Sequence, residues 1–91
     1  MSVSVKLPLP LRSYAEQQRA VPVEGATVGE ALASLTTRYP ALKPHLYTDA
    51  GELRNFVNLF VNGENVRLLQ GEQTPLEPSD EIQIVPAVAG G

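Results

Sequence analysis

The chain closes on Pro86-Ala87-Val88-Ala89-Gly90-Gly91, and the group best placed to do chemistry is the terminal carboxylate of Gly91. Glycine has no Cβ, so a backbone ending in two glycines passes through a slot too narrow for side chains. Gly90, Ala89 and Val88 extend that access: the last six residues are small or rigid and carry no side-chain charge. Extended, they reach roughly 20 Å from the body, enough to deliver a carboxylate into a buried site of another protein. The plainer alternative is a frayed terminus that happens to end in glycine.

The other chemistry-bearing residue types form no such arrangement. The chain has no cysteine, which excludes disulfides, thiolate metal sites and thiol nucleophiles; sulfur chemistry would need an atom supplied from outside. His45 is the only histidine and reads as a surface or packing residue, not a metal ligand or base. No Ser-His-Asp set, metal-spaced histidines or glycine-rich phosphate loop is present, so no metal, no bound cofactor and no enzymatic activity of its own are expected.

Seven Lys and Arg against ten Asp and Glu give a net charge of −3. The basic residues are scattered singly from Lys6 to Arg67, which argues against a nucleic-acid partner, because phosphate binding needs clustered positive charge. Glu64, Glu72, Glu77, Asp80 and Glu81 concentrate acid in the second half. They form either a solvated surface or a face that steers a basic partner, with Asp80 and Glu81 as docking candidates. No apolar run approaches the roughly 20 residues of a membrane span, and the first residues lack a signal pattern. A cytoplasmic protein is expected.

The elements that would hold the tail can be read from periodicity. At 91 residues and 43% hydrophobic content, the chain suits one domain with one modest core. Val3, Val5, Leu7 and Leu9 alternate with polar residues or proline, predicting a first strand that ends or lies at an edge by Pro8 and Pro10. A second strand is expected at 20–24, with Val21 and Val23 inward. Thr27-Val28-Gly29-Glu30 reads as a capping box, and Val28, Ala31, Leu32, Leu35 and Tyr39 form a helical stripe that Pro40 brings to an end. From 41 to 53 the chain reads as irregular, pinned by Leu42 and Leu46. Residues 56–62 give the strongest strand signal, and Asn62-Gly63 is a hairpin turn. There Val57, Leu59 and Val61 would face the helix. Phe56 and Phe60 would lie on the other face, as a docking surface or under a loop. A last strand over 81–85 runs into the tail.

This order excludes a doubly wound sheet, which needs repeated helical crossovers. It fits an α+β fold: a mixed sheet of four to five strands on one helix, with the first and last strands as parallel central neighbours. The domain would span residues 1–85, with a flexible tail over 86–91.

The element order and the terminal Gly90-Gly91, with Asp80-Glu81-Ile82 leading into Ile84-Val85-Pro86, resemble the ubiquitin-like β-grasp sulfur carriers of the MoaD, ThiS and CysO group. Residues 56–67 and the ending are most similar to the cysteine-biosynthesis carriers. The resemblance implies that a ubiquitin-activating-like adenylyltransferase converts the Gly91 carboxylate into an acyl-adenylate. A sulfur donor then displaces AMP to leave a Gly91 thiocarboxylate. It further implies an acceptor enzyme, which in the cysteine pathway is a pyridoxal phosphate-dependent cysteine synthase, and a metalloprotease that releases the product. Molybdopterin or thiamin carriage, and conjugation to proteins through Gly91, stay open as alternatives.

Overall fold

The computed structural model describes residues 2–54 and 57–86. Five strands form one mixed sheet: β1 (Ser2–Lys6), β2 (Ala20–Glu24), β3 (Val57–Val61), β4 (Glu64–Asn65) and β5 (Glu81–Pro86), in the order β2-β1-β5-β3-β4. β1 and β5 run parallel at the centre, with Ser4 beside Glu81 and Lys6 beside Gln83. β3 pairs antiparallel with the other side of β5, from Val57 opposite Pro86 to Val61 opposite Ile82. This is the mixed sheet over one main helix expected from the element order, and the β-grasp that the resemblance implies.

The alternation decides which side of each strand is buried. Val3 and Val5, Val21 and Val23, Val57, Leu59 and Val61, and Ile82 and Ile84 all turn inward against α1 (Val28–Arg38). The helix answers with Val28, Ala31, Leu32 and Leu35, each without exposed surface. Complete burial of one such leucine stabilises the fold by about 2 kcal/mol. The Thr27 hydroxyl accepts from the Glu30 amide at 3.2 Å, and the Glu30 carboxylate accepts from the Ala26 amide at 3.0 Å, so the capping box forms with its reciprocal bond one residue outside the cap. At the other end the Tyr39 amide still reaches the Leu35 carbonyl before Pro40 stops the helix.

Pro22 sits on β2, an edge strand, where a missing donor is tolerated. Asn62 and Gly63 both take positive φ, 49° and 90°, the twist a two-residue hairpin requires. Two expectations need correction. Leu9 does not continue the inward face of β1: it is 73% exposed, because the chain leaves the sheet at Pro8 and winds into a 3₁₀ helix, Leu9–Ala15. Leu11 and Ala15 are the residues of that helix that enter the core. The stretch after Pro40 is also more regular than expected. A 3₁₀ turn at Pro40–Leu42 and a single helical turn, α2 (Lys43–Leu46), bury Leu42 and Leu46 completely.

Candidate functional site at the root of the tail

β5, the strand that leads into the tail, is the central strand of the sheet, with β1 on one side and β3 on the other. Pairing continues through Pro86 opposite Val57, one residue past the strand read from the sequence. The proposed reactive residue Gly91, with Gly90, Ala89 and Val88, lies outside the described residues, as does Phe56.

The remaining sequence-predicted residues are separated by the length of β5. Asp80 and Glu81 stand at its beginning, about 17 Å from the tail root at a rise of about 3.4 Å per residue. The Asp80 carboxylate accepts from the Glu77 amide at 2.8 Å and from the Asn62 side chain at 3.0 Å. Those bonds, the Glu77 amide foremost, hold its carboxyl below the ordinary aspartate value. Asn62 in turn accepts from the Glu81 amide at 3.2 Å, so Asp80 ties the entry turn of β5 to the β3–β4 hairpin. Glu81 lies 3.5 Å from Lys6, both side chains about half exposed. Phe60 is half-buried on the sheet face away from α1, in register between Gln83 and Asn65. Structure therefore does not bring Phe60 and the acidic pair into one cluster around the tail.

What it does bring to the tail root is basic. A cleft of about 430 Å³ opens beside the last residues of β5, lined by Lys6, Arg12, Arg19, Gln83 and Val85 among others, and no acidic residue is among the described residues that line it. The Arg12 guanidinium is aimed by a bond from Nε to the Leu7 carbonyl, 3.1 Å. Arg19 is placed by backbone: its carbonyl accepts from the Leu7 amide at 2.8 Å, and its side chain forms no ion pair or hydrogen bond with the described residues. A second cleft on the other side of Ile84 is bordered by His45 and Arg54. Sequence reading missed this grouping. Lys6, Arg12 and Arg19 are apart in sequence, and only the return of the chain through the 3₁₀ helix and β2 brings them to one cleft.

His45 is exposed and packs on the Tyr14 ring at 4.5 Å between centroids, the packing role expected of it. Among the described residues no three His, Cys, Asp or Glu side chains are grouped to hold a metal. The Tyr47 hydroxyl donates to Glu72 at 3.1 Å; burial first, and the Glu72 charge second, push its ionisation above the usual range. This pair ties Tyr47 to the 3₁₀ turn at Gly71–Gln73. No helix of the described residues is long and apolar enough to cross a membrane.

Comparison with known proteins follows the same lines. The sequence profile of the ThiS family matches residues 5–91. The sulfur carrier protein CysO of Mycobacterium tuberculosis is 37% identical over the full length of both chains. The CysO chain in the BexX/CysO complex of Amycolatopsis orientalis is 35% identical and superposes with a TM-score of 0.88, covering 98% of this chain and 99% of that one. SAMP1 of Haloferax volcanii, a small archaeal modifier protein, superposes with a TM-score of 0.87 at 34% identity over all of both chains.

Proposed function

The chain belongs to the ThiS family of ubiquitin-like sulfur carriers, and from that premise we propose that Gly91 is its working residue. The match runs through residue 91 and the strand before the tail is gripped on both sides; the first of these observations carries the reading. In the proposed cycle a partner adenylyltransferase attacks ATP with the Gly91 carboxylate, forming acyl-AMP and releasing pyrophosphate. A sulfur donor adds to that carbonyl and expels AMP, leaving a thiocarboxylate whose sulfur is nucleophilic. The carrier contributes position: Gly90 and Gly91 supply backbone narrow enough to enter the site, and the folded body supplies the surface the partner recognises.

Cysteine formation is the proposed destination, on an acceptor such as a pyridoxal phosphate-dependent cysteine synthase, with a metalloprotease releasing the product. The full-length similarity to the mycobacterial CysO supports it. Incubation with the activating enzyme, ATP and sulfide is expected to replace one terminal oxygen by sulfur in the intact mass of the protein. A folded chain that shows no exchange with an active enzyme refutes the proposal. The full-length superposition on the archaeal modifier protein favours a second role, conjugation through Gly91 to lysines; its mark is a branched Gly-Gly remnant on target peptides. Both roles begin with the same adenylation.

A further inference from the structure

We propose that the cleft at the root of the tail, with Lys6, Arg12 and Arg19 around it, is the surface that receives an acidic rim on the partner that activates Gly91. The inference rests on the Gly91 reading and adds to it the place and the charge of the contact.

The place follows from tether length. Val85 is the last residue of β5 among those lining the cleft, and Gly91 is the sixth residue beyond it. At about 3.4 Å per residue the carboxylate reaches at most about 20 Å from that point. An enzyme that closes around the carboxylate, and around the backbone leading to it, must bring its surface down onto the tail root. The opposite end of β5, with Asp80 and Glu81, stands about 17 Å further back, where such a partner need not reach.

The charge follows from the lining. A chain with a net charge of −3 gathers three of its seven basic residues around one cleft with no acidic side chain among its described lining residues. Arg12 is held in place by the Leu7 carbonyl. Lys6 shares its charge with the half-exposed Glu81, a solvent-screened pair that a partner carboxylate can displace at little cost. Arg19 makes no side-chain bond with the described residues, so its charge is directed outward. With Glu77 and Asp80 at the far end of β5 and Arg12 and Arg19 at the cleft, charge is spread unevenly along the strand, and Lys6, paired with Glu81, lies between the two groups. Such a charge distribution turns the carrier tail-first as it approaches an acidic entrance. A small anion is the poorer fit: the phosphate of an acyl-adenylate forms at Gly91, up to about 20 Å away when the tail is extended into its site.

The test compares intact wild-type chain with Arg19→Glu and with Arg12→Gln/Arg19→Gln, using the adenylating enzyme that loads the wild type and following pyrophosphate release. Melting temperatures within a few degrees of wild type establish that each variant is folded. At low salt Arg19→Glu is expected to lower kcat/KM roughly ten-fold with kcat at saturation unchanged, and the difference should shrink as salt shortens the Debye length. The neutral double variant should show a smaller loss of the same kind. Glu77→Lys, at the acidic end, should stay within about two-fold of wild type because it lies beyond the contact. A folded Arg19→Glu with unchanged kcat/KM, or a Glu77→Lys that is the more impaired, overturns the basic contact while leaving Gly91 chemistry standing. A loss confined to kcat overturns it as well, by moving the effect from encounter to reaction. Absence of pyrophosphate release from the wild type removes the Gly91 reading, and the contact with it.

Discussion

Gly25, between β2 and α1, should be among the least replaceable residues of the body, and Gly25→Ala tests how tightly the helix is set against the sheet. A Cβ built there would lie 2.5 Å from the Ala31 nitrogen and 2.8 Å from the Ala31 Cα. Ordinary contact needs about 3.5 Å, so the first turn of α1 would have to retreat by about 1 Å. Both approached atoms are backbone, so no rotamer change can make room. Retreat would strain the bond from the Val28 amide to the Thr74 carbonyl, 3.0 Å, and that from the Leu76 amide to the Ala26 carbonyl, 2.8 Å. Losing two such bonds costs about 2 kcal/mol, and overpacking adds about 1–3 kcal/mol. Loss of glycine's unfolded-state freedom offsets about 0.5–1 kcal/mol. The net destabilisation is about 3 kcal/mol, out of a total of roughly 5–14 kcal/mol for a domain of this length. With a urea dependence of about 1–1.5 kcal/mol per molar, the midpoint should fall by about 2–3 M at unchanged slope. Gly29→Ala is the control. Its Cβ would meet the Glu72 carbonyl at 3.2 Å, a contact that a few tenths of an ångström relieve, while alanine gains about 1 kcal/mol of helix propensity; it should stay within about 1 kcal/mol of wild type. A Gly25→Ala midpoint within 0.5 M of wild type, an estimate of experimental resolution at about 10%, refutes the close-packed junction.

Gly91→Ala is expected to slow adenylation sharply while leaving the urea midpoint unmoved, because the added methyl would meet the narrow channel proposed in the partner and a substitution away from the core changes stability little; near-normal pyrophosphate release from this variant counts against the channel. Asp80→Asn should lower stability by about 0.5–1 kcal/mol near neutral pH, discounted for solvent screening of this exposed carboxylate. Its folded ionisation is depressed, so its contribution is present above the ordinary aspartate pKa and is lost as pH falls through the folded one. The gap between wild type and variant should therefore be constant from pH 5 to 7, about two units, and close below about pH 4. Thr27→Ala removes the helix cap and should cost about 1 kcal/mol by chemical denaturation, with no effect on adenylation at saturation.

The fold was legible because each element announces itself locally. Two-residue alternation marks β1, β2, β3 and β5; Thr27 and Pro40 bracket α1; Asn62-Gly63 turns the hairpin. Leu9 misled because alternation continues through Pro8 and Pro10 although prolines cannot donate to a ladder, and only the burial of Leu11 and Ala15 shows where the chain went. The proposed working residue, Gly91, could be singled out from chemistry alone, since a carboxylate behind small residues needs no tertiary information to be noticed. Lys6, Arg12 and Arg19 could not. A grouping made by chain return leaves no periodic trace, and scattered basic residues look like ordinary surface until β1, β2 and the 3₁₀ helix are placed. The acidic pair shows the reverse: Asp80 and Glu81 stand out in sequence, yet the structure employs Asp80 in holding a turn.

The placement of β5 between β1 and β3 also bears on what happens when the tail is pulled. A force applied at Pro86 acts along the strand axis, so the ladders on both flanks are loaded in shear and their hydrogen bonds must give way together. A strand at the sheet's edge pulled sideways would unzip one bond at a time. The strand that leads into the tail is thus anchored against a pull along its axis, so that such a pull loads both ladders at once and not one bond at a time.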